Sequence, residues 1–328
     1  MTKRLPHTLA GLVAAFALIP VAALAAETGH ETQIVRQPWS FTGFTGQFDK
    51  AQLQRGFQIY KEVCSNCHSL KRLSFRNLSQ PGGPEFPAAS VKALAAAWPN
   101  KITDGPNDEG KMFERPALPS DPILGPYKND KEARAAQNGA LPPDLSLMAR
   151  ARAVERNPPW YIHPFLMLGD ILKGYQEGGA DYIYAVMTGF EDAAPAYKRD
   201  SQGRLIAAGD QVSKDDKSVE RCASIVAGED GKPDMCNPLY DGKYYNVAFP
   251  GHQISMPPPL ADGAVTYQDG TPPKLDNYAH DVAAFLSWAA DPTLDQRKRI
   301  GWQVILYLIV TTALLYIGKR RIWSAIKH

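Results

Sequence analysis

Cys64, Cys67 and His68 have the types and the spacing of a covalent haem attachment site. The run Cys64-Ser65-Asn66-Cys67-His68 places two thiols and an imidazole at positions i, i+3 and i+4, which share one face of a helix. Thiols at this spacing add to the vinyl groups of a porphyrin, and the adjacent imidazole becomes an iron ligand. A zinc knuckle would need a second ligand pair of matching spacing, and a thioredoxin-like motif would need a βαβ context. The sequence offers neither context and therefore predicts one covalently bound haem c.

The opposite face of the iron needs a second ligand, for which Met256 is the strongest candidate. It lies in the loop Phe249–Pro259, and three prolines stiffen the chain directly after its sulfur. A thioether held by a rigid loop keeps the iron six-coordinate through the redox change and raises its potential relative to histidine. His163 and His252 are the rival ligands, and methionines in general are more often core filler. The sequence therefore predicts His68 and Met256 as the metal ligands.

Two amphipathic helices are expected to position the haem motif. Leu53, Phe57 and Tyr60 recur at helical spacing before Cys64, and Gly56 would let another helix approach closely. A second stripe near the end of the hydrophilic part of the chain comprises Leu275, Tyr278, Val282, Phe285, Leu286 and Ala289, and it stops at Asp291-Pro292. We expect these two helices to cross beside the haem.

Both ends of the chain carry apolar runs. Residues 1–25 combine Lys3 and Arg4 with an apolar stretch and a small-x-small ending, which predicts a secretory signal peptide, an uncleaved anchor being the alternative. Residues 301–318 contain no charge and lie between the basic triplets 297–299 and 319–321, as is typical of a transmembrane helix. Export would place residues 26–296 on the periplasmic side and residues 322–328 in the cytoplasm. Residues 297–321 would form the transmembrane anchor with its basic flanks.

Composition and charge narrow the class of protein further. The chain has 328 residues, a hydrophobic content of 44% and a net charge of +2, so nothing indicates disorder or nucleic-acid binding. Residues 26–296 hold 27 basic and 34 acidic residues, a net charge of −7. Such a domain would attract a basic partner, although acidic residues also serve solubility. The acidic segments are Asp104–Glu109, Asp215-Asp216 and Glu229-Asp230.

Several motifs in their order along the chain resemble the cytochrome c1 family, the haem subunits of the cytochrome bc1 complex, in its bacterial form. The matching segments are 55–60 before the haem motif, 138–146, the Met256 loop, 288–292 and 297–301. The resemblance implies a mainly α, class I cytochrome c-like haem domain with long loop insertions and one C-terminal transmembrane helix. It also implies that Arg152 lies near a haem propionate, the alternative being a solvated surface arginine.

The functional implication of the resemblance is a one-electron relay of a quinol-oxidising respiratory or photosynthetic complex, ubiquinol:cytochrome c oxidoreductase. The relay would accept electrons from a Rieske iron–sulfur protein and donate them to a soluble cytochrome c. It would sit beside cytochrome b in a dimeric multi-subunit complex of the bacterial inner membrane, with the haem on the periplasmic side. Two other functions remain open: a membrane-tethered electron shuttle, which would need a long flexible linker, and a haem enzyme with an open iron.

Cys222 and Cys236 depart from the mitochondrial members of that family, which lack this pair. They lie in an insertion, residues 200–241, that is rich in Gly, Asp and Lys and has little apolar periodicity. An oxidising periplasm favours a disulfide between them, since two free thiols would compete with the haem cysteines during maturation. The two cysteines are 14 positions apart. A disulfide that closes a loop of this size would stabilise the fold by roughly 3 kcal/mol.

Overall fold

The computed structural model describes residues 34–152, 159–173, 178–208, 216, 218–226, 228 and 234–324. The predicted signal peptide, residues 1–25, lies outside these ranges, as do Asp215, Glu229 and Asp230. The α-helices within them are α1 Lys50–Glu62, α2 Ala88–Ala96, α3 Asp130–Ala136, α4 Met148–Ala151, α5 His163–Lys173, α6 Gly179–Thr188, α7 Leu275–Ala290 and α8 Leu294–Trp323.

The described strands are short and pair into four antiparallel sheets. The strands are β1 Leu70–Ser74, β2 Ile102–Asp104, β3 Phe113–Arg115, β4 Pro122–Ile123, β5 Phe190–Glu191, β6 Ala196–Arg199, β7 Leu205–Ala207, β8 Glu220–Val226, β9 Met235–Pro238, β10 Tyr244–Asn246 and β11 Gln253–Ile254. Their orders are β1-β4, β2-β3, β11-β10-β5 and β7-β6-β8-β9. The expectation of a mainly α domain with loop insertions is therefore corrected in part, because the insertion at 200–241 contributes to a four-stranded sheet. Most of these strands are too short to show a period-2 apolar pattern.

The predicted pair of helices forms the centre of the core. Helix α1 crosses α7 at Gly56, where a Cβ atom would lie only 2.1 Å from the carbonyl oxygen of Asp281. Leu53 and Tyr60 on α1 and Tyr278 and Phe285 on α7 are fully buried. Since glycine alone permits this approach, the crossing predicted from the two apolar stripes is confirmed together with its contact point.

Helix α8 is fastened to the folded domain at its first turns. The Lys298 ammonium donates to the carbonyl oxygens of Phe41 at 2.6 Å and Gly46 at 3.0 Å, and the Phe48 amide donates to Asp295 at 3.2 Å. Within the described part of the chain, α8 is the one helix long and apolar enough to cross a membrane. Only residues 291–293 separate it from α7, so the anchor candidate follows the core without a long linker.

Candidate haem site

The haem motif lies on a tight turn directly after α1. The α-helix ends at Glu62, and Cys64–Asn66 form a 3₁₀ turn. The Cys64 carbonyl oxygen accepts from the amides of Cys67 at 3.1 Å and His68 at 2.9 Å. The single α-helical turn expected for the motif is thus replaced by a tighter one, in which two amides converge on one carbonyl. Cys64 and Cys67 are both half-buried and not in a disulfide, so both sulfurs remain available for thioether formation.

The orientation of the His68 ring is fixed by a main-chain acceptor. Its Nδ1 atom lies 2.8 Å from the carbonyl oxygen of Pro143. A carbonyl oxygen can only accept, so Nδ1 carries the proton and Nε2 keeps its lone pair. Burial lowers the pKa of His68, which also favours the neutral ring. The side chain is therefore in the form that ligates iron through Nε2.

Asp144 links the segment that carries Pro143 to the residues that follow the haem motif. One of its carboxylate oxygens accepts from the Ser69 hydroxyl at 2.8 Å and from the Lys71 amide at 2.7 Å. Burial alone would raise the pKa of Asp144, but hydrogen bonds from Ser146, Lys71 and Ser69 outweigh it and lower the pKa. The Leu145 amide also donates to the Ser69 carbonyl at 2.9 Å. These bonds hold the acceptor for His68 at a fixed distance from the motif.

A cavity of about 550 Å³ opens beside Cys67, and its wall includes Tyr127, Leu141 and Pro142. The Gln137 amide donates to the Tyr127 hydroxyl at 2.6 Å and lies 3.7 Å from the Cys67 sulfur. Two half-buried thiols and a neutral imidazole with a free Nε2, all within five residues, fit a covalently attached porphyrin. A zinc site would instead need further thiolate or imidazole ligands at this point.

Met256 is held in a loop anchored by the β11-β10-β5 sheet. Strand β11 pairs with β10 through Tyr244 opposite Ile254, and the Lys243 ammonium donates to the Ser255 hydroxyl at 2.5 Å. Met256 is half-buried and packs on a small cluster formed by Val186 of α6 with Ala248 and Ile254. These contacts therefore fix the chain directly before Met256 while its side chain stays partly open.

Asn246 is a residue of this site that the sequence analysis missed. Its side chain is fully buried; the amide nitrogen donates to the Val186 carbonyl at 2.8 Å, and the oxygen accepts from the Ala248 and Phe249 amides at 3.0 and 3.1 Å. These bonds tie the start of the Met256 loop to α6. A single asparagine in a polar stretch gives no sequence signal, because its role depends on which main chain it meets.

Arg152, the propionate candidate, is exposed and lies at the end of α4. Its positive charge acts to lower the pKa of Tyr182, although burial raises that pKa overall. The Arg152 carbonyl oxygen would lie 2.8 Å from a Cβ atom on Gly179 at the start of α6, and Tyr182 of that helix packs on the cluster that contains Met256. The rival ligands differ in environment: His163 is exposed at the start of α5, whereas the His252 ring packs on Tyr245 with centroids 5.7 Å apart.

The structure contains the predicted disulfide between Cys222 and Cys236, with Cα atoms 5.2 Å apart. It joins the paired strands β8 and β9. Tyr240 follows β9, and its amide donates to the Gln253 side chain at 3.0 Å. Gln253 belongs to β11, the strand before Met256. The insertion is therefore connected to the Met256 loop by a hydrogen bond as well as by sequence.

Comparison with known proteins decides the family. The model of the cytochrome C1 family matches residues 39–326. The chain belongs to the cytochrome c1 family. It is 41% identical to cytochrome c1 of Blastochloris viridis over 97% of this chain and 96% of that protein. It is 35% identical to the mitochondrial cytochrome c1 haem protein of Schizosaccharomyces pombe, over 97% of this chain and 82% of that one.

A third relative is the cytochrome b/c1 protein of Bradyrhizobium diazoefficiens, to which the chain is 42% identical over 87% of its own length. The match spans only 35% of that longer protein. Membership of the cytochrome c1 family confirms the resemblance drawn from the motifs. The chain is accordingly an electron-transfer haem protein of the cytochrome bc1 complex with one covalently bound haem c. The match covers the haem motif, the Met256 loop and α8 alike.

Proposed function

We propose that this cytochrome c1 takes one electron at a time from a Rieske iron–sulfur protein and passes it to a soluble cytochrome c. In this proposal His68 and Met256 are the axial ligands of the haem, and Cys64 and Cys67 attach it. The observation that supports the proposal most is the hydrogen bond from His68 to Pro143, because it leaves Nε2 free to bind metal. The bound haem supplies the one-electron redox chemistry.

The residues of the chain hold the haem ligands still and shape their surroundings. Pro143 and Asp144 orient the imidazole, while Asn246 and β11 orient the loop with the thioether. A ligand set that does not rearrange when the iron changes charge needs little reorganisation. A rigid His and Met pair therefore suits a relay better than a site that must bind and activate a small molecule.

We further propose that Arg152 pairs with a haem propionate. The guanidinium offers a planar fork that matches a carboxylate, and the main chain of Arg152 lies against the start of α6, whose Tyr182 packs on the same cluster as Met256. Arg150, two residues earlier, instead pairs with Asp291 at 2.9 Å. Arg150 is thus already engaged in an ion pair, which makes Arg152 the better candidate for a propionate.

The attachment of α8 favours a fixed complex subunit over a swinging tethered shuttle. A shuttle needs a flexible linker, whereas Lys298 and Asp295 bind α8 to the main chain of the domain. We propose that residues 297–321 of α8 span the inner membrane with residues 26–296 on the periplasmic side, beside cytochrome b and as part of a dimeric complex. Copurification of the detergent-solubilised chain with a cytochrome b and a Rieske protein would test this assignment.

Substitution of the proposed ligand provides the direct test of the relay. Met256→Lys should keep the covalent haem, lower its midpoint potential and abolish electron transfer to a soluble cytochrome c. Met187→Leu is the matched control, since Met187 packs on the same cluster and its loss should leave the potential unchanged. An unaltered potential in Met256→Lys would assign the ligand to another residue. Ready binding of carbon monoxide to the reduced wild type would favour an open-iron haem enzyme instead.

A further inference from the structure

The segment around α5 exposes large apolar and aromatic side chains to an unusual degree for a folded domain. Trp160 is 85% exposed, Phe165 76% and Met167 57%. Tyr161, Leu166 and Leu168 are exposed as well. Scattered apolar residues on a surface are ordinary, but a contiguous set of this size marks an interaction surface. The proposed haem ligands and the attachment cysteines all lie in other elements, so the relay does not account for this segment.

The segment between α4 and α6, which contains α5, begins and ends at neighbouring points of the core. It follows α4, which ends at Ala151, and it returns at α6, which begins at Gly179. A Cβ atom on Gly179 would lie 1.7 Å from the Ala149 carbonyl oxygen, so the last turn of α4 and the first of α6 are in direct contact. The residues between them form a long insertion whose two ends are held together.

That point lies next to the base of α8. The Arg150 guanidinium on α4 binds the Asp291 carboxylate at 2.9 Å, and Arg297 in the first turns of α8 binds the same carboxylate at 2.5 Å. Gly301, where the apolar run begins, lies seven positions after Leu294. At about 1.5 Å per residue this distance is roughly 10 Å along the helix. The insertion therefore departs from the core close to the level at which the lipid headgroups would begin.

The chain is long enough to reach the bilayer surface from there. The seven residues 153–159 can cover up to about 23 Å, whereas the headgroup layer is only about 5 to 8 Å deep on each side of the hydrocarbon. Tryptophan and tyrosine are enriched at that depth because their rings have apolar bodies and polar edges. Trp160 and Tyr161 stand directly before a helix of Phe, Leu and Met side chains, which is the composition of an interfacial anchor.

We propose that Trp160, Tyr161 and the apolar side chains of residues 165–168 in α5 lie in the interface of the same bilayer that α8 spans, as a second contact between the haem domain and the lipid. This inference rests on the proposal that α8 is transmembrane. Together with the bonds of Lys298 and Asp295 at the base of α8, a second contact fixes the tilt of the domain over the membrane. A single helix would leave rotation about its own axis unrestrained.

Site-directed spin labelling of the full-length haem-loaded chain tests the proposal. Haem attachment and the disulfide occupy all four native cysteines, so an added cysteine would be the one reactive thiol. Labels would be placed at Phe165→Cys and Met167→Cys, with the protein and its copurifying subunits in vesicles of phosphatidylcholine and phosphatidylglycerol. Met112→Cys is the aqueous control, because Met112 is similarly exposed at 61% but lies in the charged β2-β3 hairpin. Leu308→Cys reports on α8.

Oxygen partitions into lipid and a charged nickel chelate into water, so the ratio of the two collision rates reports depth. We expect this ratio to be several-fold higher at Phe165 or Met167 than at Met112, and highest at Leu308. Ratios at both α5 positions equal to that at Met112 would overturn the lipid contact while leaving the anchor intact. Shielding of both positions from both reagents would overturn it in favour of a protein partner. A water-like ratio at Leu308 would overturn the anchor and the α5 contact together.

Discussion

The two sides of the proposed haem site, at His68 and at Met256, are built from different kinds of structure. The His68 side follows a helix crossing in which Leu53, Ile59 and Tyr60 are fully buried and a glycine sets the separation of the helices. The Met256 side depends on strands of two or three residues, one buried asparagine and a disulfide-linked sheet. Dense packing tolerates little change, so damage on the first side should prevent folding. Damage on the second should alter the ligation of the iron while the fold persists.

The largest expected effect is at Gly56. Gly56→Ala would place a methyl group 2.1 Å from the Asp281 carbonyl oxygen and 2.6 Å from the Cβ atom of Phe285. The helices would have to separate, at a cost of about 3 kcal/mol or more in the free energy of unfolding. The yield of haem-loaded protein and its thermal unfolding measure this. Gly169→Ala is the control, since nothing lies within 4 Å of its Cβ position; equal yields of the two variants would contradict the comparison.

Removal of the disulfide tests the Met256 side. Replacing Cys222 and Cys236 by serine should lower stability by about 3 kcal/mol in the chain-entropy model. The sheet is connected to β11 through Tyr240 and Gln253, so we also expect a lower haem potential. Covalent haem content should stay at the wild-type level. Unfolding in denaturant and a redox titration measure these two effects, and peptide mapping without reductant confirms the disulfide in the wild type. A loss of haem attachment would argue against the independence of the two sides.

Asn246→Ala should loosen the same loop without touching the insertion. It removes three hydrogen bonds and leaves the Ala248 and Phe249 amides without their acceptor, which we expect to cost about 2 kcal/mol. Methionine ligation should weaken, and exogenous imidazole should bind the ferric haem more readily. Asn237→Ala is the control. Within the described residues, the Asn237 side chain makes one hydrogen bond, to the Ser224 hydroxyl at 3.1 Å. Identical imidazole binding in both variants would remove Asn246 from the site.

Asp144→Asn probes the His68 side with a smaller and pH-dependent effect. The pKa of Asp144 is lowered in the folded chain, so its ionised form stabilises the fold above the unfolded pKa of about 3.9 and this contribution is lost as the pH falls through the folded value. Because the group is only partly buried, we expect the variant to be less stable by about 1 kcal/mol at pH 7. Unfolding of both proteins in denaturant at pH 7 and pH 3 measures this difference. If the difference in unfolding free energy between the two proteins were the same at both pH values, the charge of Asp144 would be ruled out as its cause.

The smallest expected effect concerns docking of a basic soluble partner. In the β2-β3 hairpin, Asp104 pairs with Arg115 at 2.5 Å and Glu109 with Lys111 at 3.3 Å, and residues 101–115 carry a net charge of only −1. Residues 200–241 carry −4. Neutralising Asp215 and Asp216 should therefore slow association about two- to threefold at low ionic strength, and neutralising Asp108 and Glu109 should do less. Rates independent of salt in every variant would show that acidic residues do not steer the partner.

Much of the site was readable from the sequence because its chemistry is local. The spacing of Cys64, Cys67 and His68, and the prolines after Met256, each lie within a few residues. The two apolar stripes predicted α1 and α7, since helical periodicity survives in any window of that length. The sheets of the insertion were missed because strands of three or four residues leave no such pattern, and the tight turn at Cys64 because local spacing does not distinguish it from an α-helical turn.

The sequence by itself determined that this chain carries a haem attachment motif, a candidate thioether ligand, a cysteine pair and an apolar run long enough to span a bilayer. Only the tertiary structure decided that Pro143 accepts from His68, that Asn246 ties the Met256 loop to α6, and that Arg150 joins the base of α8. The partners in these bonds are separated by 75, 60 and 141 residues. Hydrogen bonds depend on distance and angle in space, so no pattern of neighbouring residues specifies them.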